Sequence, residues 1–143
     1  MIYVDSNIFI YGIVNTAAKG NSCREFLKKV QEGRVTVCTS VLTFDEVFWH
    51  LKKILGFEKT LIAVESFLTF PNLKFLDVTA VTIVEAFSLI KKYKVQPRDA
   101  IHAACALIEN VHEIISEDSD FDIVVELKRK TVEGKKQANG KKK

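Results

Sequence analysis

Short apolar runs alternate along this chain with longer segments whose apolar residues recur at helical spacing. Ile2-Tyr3-Val4 reads as a strand that stops at Asp5, and residues 7–14 as a short helix. Ser22 to Gln31 places Phe26, Leu27 and Val30 on one helical face. The turn-like Glu32-Gly33-Arg34 precedes a second strand, Val35 to Cys38. Ser40 suits the N-cap of a helix running to Leu55 and stopped by Gly56. Glu58 to Phe70 predicts another helix, closed before Pro71, and Lys74 to Val78 a third strand. Thr79 or Thr82 opens a helix to about Tyr93, and Pro97 stands where a first helical residue belongs, ahead of Ala100 to Ile108. His112 to Ile115 reads as a fourth strand, Glu117 to Asp122 as an acidic loop, and Lys130 to Val132 as a weak last strand. Strands separated by helices predict an α/β fold with a mainly parallel sheet. Right-handed crossovers then bring the strand C-termini to one edge, where ligands bind.

Composition adds a boundary. The 143 residues are 48% hydrophobic and 27% charged, the balance of one globular domain with a core of its own. No apolar run approaches a membrane span, and the N-terminus lacks the basic region of a signal peptide. The net charge of +3 is unevenly spread: residues 128–143 hold eight basic residues against Glu133, a net of +7, which leaves −4 for the first 127 residues. Residues 1–133 are therefore expected to form the domain and 134–143 a basic, disordered tail. Such a tail either tethers phosphate chains by counterion release or is a solvated end, and composition supports both equally. Cys23, Cys38 and Cys105 form neither a CxxC nor a Cys/His pattern and read as small buried hydrophobes in a reducing, cytoplasmic compartment.

The acids carry the candidate chemistry. Asp5 directly follows the first strand, Glu46 lies two turns into the helix after the second, Asp99 sits in the first turn after Pro97, and Asp118 and Asp120 come just past the fourth strand. Singly, each has a plainer account: an N-cap at Asp5, an exposed helix acid at Glu46, a macrodipole-favoured acid at Asp99, a solvated turn at Asp118 to Asp122. Jointly, carboxylates gathered at one sheet edge would repel one another and raise each other's pKa. A hard divalent cation such as Mg²⁺ or Mn²⁺ removes that penalty. An EF-hand is excluded, because Ile123 stands where Gly is required and Arg129 where Glu is required. A zincin is excluded by the lack of HExxH.

Taken in order, four segments resemble the PIN domain family. Ile2-Tyr3-Val4-Asp5-Ser6-Asn7 is similar to its strand-then-DxN opening, and Thr39 to Val47 to the segment bearing its second acid. Arg98-Asp99-Ala100-Ile101-His102-Ala103-Ala104 resembles its DAxHAA helix, and Ile115 to Asp122 its (T/S)xDxDF loop. The resemblance covers about residues 1–125 and implies a three-layer α/β/α sandwich, metal-dependent ribonuclease activity and frequent homodimerisation. It also implies Asp5, Glu46 and Asp99 as the first three acids and Asp118, with Asp120 near, as the fourth. Asn7 and Ser116 would orient carboxylates. Asp45 competes with Glu46, and Glu46 is preferred because Val47 follows it as in the family.

On this reading one or two Mg²⁺ or Mn²⁺ ions among Asp5, Glu46, Asp99 and Asp118 activate water and offset charge on a phosphoryl group. His102, three residues after Asp99, reads as a packed histidine and His50 as exposed. Trp49 and Phe48 read as core or dimer-interface residues. Lys19, Arg24, Lys52 and Arg98 are surface cations by default, within reach of a phosphate chain. Free-standing chains of this kind resemble VapC-type toxins, which pair with a small antitoxin protein, while others of the family act in RNA processing. A catalytically inactive module binding RNA or protein is the alternative from another class, and a receiver-like or phosphatase domain lacks its second acid at Asp5-Ser6-Asn7.

Overall fold

A computed structural model describes residues 1–133, so the tail expected at 134–143 lies outside the described residues. The strands are β1 (Ile2–Val4), β2 (Val37–Ser40), β3 (Leu73–Leu76), β4 (Glu113–Ile115) and β5 (Lys128–Lys130). The helices are α1 (Ser6–Val14), α2 (Ala18–Gln31), α3 (Val41–Leu55), α4 (Phe57–Leu68), α5 (Ala80–Tyr93) and α6 (Pro97–Ile108). All strands pair in parallel in the order β3-β2-β1-β4-β5. None of the described helices is long and apolar enough to cross a membrane.

Alternation along the strands builds two cores, one on each face of the sheet. Tyr3, Cys38 and Ile114 join Ala86, Leu89, Ala103 and Phe121 under α5 and α6. Val4, Val37 and Ile115 join Ile8, Cys23, Val47 and Phe67 under α1 to α4. The result is the expected α/β/α sandwich. The chain winds outward from β1 to β3 over one face and returns to β4 over the other, so β1 and β4 meet at the point where strand order reverses.

Several boundaries differ from the sequence expectation. β2 begins at Val37, not Val35, because Gly33 turns with φ +78° and Val35 still belongs to the approach. β3 spans Leu73–Leu76, the four residues that pair with Val37 to Ser40. α2 begins at Ala18, four residues before Ser22, where the Asn15 side chain accepts the amides of Ala17 and Gly20. α4 ends at Leu68, with the Thr69 and Phe70 amides turning back to Glu65 and Phe67. Thr79, not Thr82, caps α5, and Thr82 completes the reciprocal capping box. Ser40 takes the N-cap position of α3 but makes no side-chain capping bond; its amide donates to the Tyr3 hydroxyl. Residues Ser119–Ile123 of the acidic loop form a 3-10 turn, and the last strand is Lys128–Lys130, set by pairing with Glu113 to Ile115.

Candidate active site

Asp5 leaves β1 at the strand-order reversal and caps α1. Its Oδ1 accepts the Ser6 amide at 2.7 Å, and its own amide donates to the Ile115 carbonyl at 3.0 Å, which ties it to the end of β4. Its Oδ2 accepts from Ser116 Oγ at 2.6 Å and from Asn7 Nδ2 at 3.2 Å. Ser116 Oγ in turn accepts the Asp118 amide at 3.0 Å, and Asp118 Oδ1 accepts the Asp120 amide at 2.9 Å. Asn7 Oδ1 accepts the Glu117 amide at 3.4 Å. Asn7 and Ser116 thus both donate to the Asp5 carboxylate.

Glu46 is buried on α3, and its Oε1 accepts from His102 Nε2 at 2.7 Å. Asp45 points the other way, exposed and 3.7 Å from Arg98, so the helix phase separates the two neighbouring acids. His102, fully buried on α6, meets the Tyr3 hydroxyl through Nδ1 at 2.6 Å and lies 4.0 Å from Asp5 Oδ1. This Tyr3–His102–Glu46 chain is the part of the site that sequence reasoning missed. Its signal was present in the i, i+3 spacing from Asp99 to His102, but the Tyr3 partner is visible only in three dimensions.

The acids fall into two neighbouring groups. Asp5, Glu46 and His102 can each offer an atom within 4.8 Å of the others, and so can Asp99, Asp118 and Asp120. Asp118 and Asp120 therefore share one group. Burial raises the Asp5 pKa above its ordinary value, an effect only partly countered by His102 and Ser116. Burial, with the charges of Asp118 and Asp5, pushes Asp99 up to about 6. Burial also works against charge on Glu46, yet the His102 hydrogen bond and charge outweigh it and hold the carboxyl below its ordinary range. For His102 burial lowers the pKa, and the Glu46 bond with the Asp5 charge reverses that, leaving it raised.

The remaining residues singled out in the sequence make contacts of their own. Lys19 pairs with the half-buried Glu117, and Arg24 donates to the Gly12 and Asn15 carbonyls and to Asn21. Lys52 is exposed. His50 is exposed and turns back to the Glu46 carbonyl at 2.9 Å. Trp49 lies 54% exposed under the Lys53 ammonium, 3.5 Å from its ring centre, and Phe48 is half-buried between Phe44 and Phe57.

Comparison with known proteins adds three findings. The PIN domain profile matches residues 2–127. No curated protein sequence gives a significant match. Among solved structures, the chain is similar to the sarcin-ricin-loop-cleaving toxin VapC20 of Mycobacterium tuberculosis, at 16% identity and TM-score 0.72, covering 87% of this chain and 95% of that one. It is similar to VapBC2 of Rickettsia felis bound to a promoter DNA fragment, at 20% identity and TM-score 0.73, covering 92% and 98%. It is also similar to DNA-bound VapBC of Salmonella typhimurium, at 19% identity and TM-score 0.71, covering 92% and 99%.

Proposed function

Because the chain belongs to the PIN domain family, we propose that it is a divalent-metal-dependent endoribonuclease that cuts single-stranded RNA, and that it acts as the toxin of a toxin–antitoxin pair. The observation that carries the reading is the gathering of Asp5, Glu46, Asp99, Asp118 and Asp120 at the β1–β4 edge, in two groups of oxygen-rich donors. The donor set fits Mg²⁺ or Mn²⁺: it is dominated by hard carboxylate oxygens, and burial with the neighbouring acids pushes Asp99 up to about 6, the burden that a cation relieves.

Asp5, Glu46, Asp99 and Asp118 are proposed to hold the metal and form the catalytic set, with Asp120 beside Asp118. The ion would supply charge to stabilise the transferring phosphoryl group and to acidify water. The protein's own part is preorganisation. Ser116 and Asn7 aim Asp5 Oδ2; the Ser6 amide fixes Oδ1; His102 donates to Glu46 and keeps that carboxylate ionised. Arg98 lies 3.7 Å from Asp45 and close enough to Glu46 to favour its charge, and it is the proposed contact for an RNA backbone.

A small antitoxin and a second copy of the chain are the proposed protein partners. Exposed apolar side chains support such contacts, among them Phe44, Trp49 and Phe57 on α3 and α4, and Val81, Val84 and Phe87 on α5. Three free, buried cysteines fit a cytoplasmic location. The deciding experiment incubates the full chain with labelled single-stranded RNA in Mg²⁺, Mn²⁺ or EDTA, beside Asp5→Asn and Asp99→Asn. Cleavage that needs the ion and vanishes in both variants is expected. RNA bound but left intact in either ion would make the chain a binding module, and cleavage at normal rate by Asp5→Asn would remove Asp5 from the site.

A further inference from the structure

Arg129 looks in the sequence like one more cation of the basic C-terminal stretch. The structure puts it inside. It lies on β5 with only 9% of its surface exposed, between Lys128, which is exposed, and Lys130, which pairs with Glu113 at 3.0 Å. Strand alternation turns the middle residue inward. Its guanidinium then grips the acidic loop at two places. Nε donates to Asp122 Oδ1 at 2.7 Å and Nη2 to Asp122 Oδ2 at 3.2 Å, while Nη1 donates to the Ser116 carbonyl at 3.0 Å.

Between those two anchors lie Asp118 and Asp120. Ser116 is also the residue whose hydroxyl donates to Asp5 and accepts the Asp118 amide. A guanidinium that fixes the Ser116 backbone therefore fixes, at one remove, members of both acid groups. The plainer account is a buried ion pair that merely fastens an edge strand. Against it, β5 is already held by its ladder to β4, extended by the Lys128 amide to His112 and the Ser116 amide to Lys130. An apolar pair of similar volume often serves a strand as well as a buried ion pair does. It has no way to bind Ser116 and Asp122 together, since only the planar fork of arginine offers donors in both directions.

We infer that Arg129 is a positioning residue of the active site, holding the Ser116–Asp122 loop so that Asp118 and the Asp5 carboxylate keep their mutual geometry. This inference rests on the nuclease reading for its consequence but not for its geometry. The test compares the wild type with Arg129→Lys and with the double variant Arg129→Met/Asp122→Leu, which removes both charges of the pair together. Backbone amide exchange is measured without metal, Mn²⁺ affinity by calorimetry, and kcat and KM on single-stranded RNA. The double variant is expected to unfold near the wild-type temperature. Its Asp118 amide should exchange at least ~10-fold faster, with Mn²⁺ affinity and kcat ~10- to 100-fold lower and KM for RNA little changed. Arg129→Lys should lose nearly as much, and it reads the effect on its own if the double variant does not fold. Wild-type exchange at Asp118 together with wild-type Mn²⁺ affinity in either folded variant would overturn the inference. A wild type that neither binds Mn²⁺ nor cuts RNA would instead sink the nuclease reading, and the amide exchange would still decide the role of Arg129.

Discussion

Replacing Asp99 with Asn removes one negative charge from the most crowded part of the site while keeping the side chain's size. An ordinary Asp titrates at 3.8, and here burial with the Asp118 and Asp5 charges pushes Asp99 up to about 6. At about 1.4 kcal/mol for each tenfold change in proton affinity, ionising Asp99 costs the metal-free fold about 3 kcal/mol above that window. The side chain is partly exposed, so solvent screening reduces this to roughly 1–2 kcal/mol. The sign follows from linkage: between pH 3.8 and about 6 the folded chain holds a proton that the unfolded chain has lost, so stability falls as pH rises through that range. Asp99→Asn should therefore be more stable than wild type at pH 7.5 in EDTA, by roughly 1–2 kcal/mol, and close to it below pH 4. Urea denaturation followed by circular dichroism at the two pH values reads the difference. Adding Mg²⁺ should narrow it, because a cation bound only to the folded state stabilises wild type more than the variant. A variant less stable than wild type at pH 7.5 in EDTA would refute the reasoning, since the acids would then not burden the fold.

Two further outcomes follow from the packing. Gly20→Ala, a change that ordinarily gains up to about 1 kcal/mol inside a helix, should here destabilise, because a Cβ would stand 1.8 Å from the Asn15 carbonyl oxygen; an unchanged or raised thermal midpoint contradicts this. Cys23, Cys38 and Cys105 are buried and burial pushes each thiol up to about 11, so a thiol reagent at pH 8 should label none of them until denaturant is added, and rapid labelling of native protein would contradict the core placement.

The central elements were legible because their signals are local. Ile2-Tyr3-Val4 ends in an acid, Gly56 stops a helix, and Pro97 opens one. The structure turns Glu46 inward on α3 and leaves Asp45 exposed, whereas the sequence preference for Glu46 rests on the family resemblance at Val47 and not on helix phase. What escaped has a common cause. β5 is Lys-Arg-Lys, with no apolar residue to mark it, and only its register against Glu113 to Ile115 makes it a strand. The early start of α2 depends on a side chain outside the helix, Asn15. The division of the acids into two groups, and the meeting of Tyr3, Glu46 and His102, are matters of a few ångströms between residues up to 99 positions apart. Such distances leave no periodic trace.

The central place of β1 in the sheet has a consequence for how this protein is made. β1 is flanked by β2 on one side and β4 on the other, so during synthesis its second neighbour arrives more than a hundred residues after it. Until Ile115 has emerged, the amide of Asp5 lacks its carbonyl, and until Ser116 follows, its carboxylate lacks that donor. Parallel pairing over such separations forms late and as a unit. A nascent or prematurely terminated chain that stops short of β4 carries Asp5, Glu46 and Asp99 but no frame to unite them.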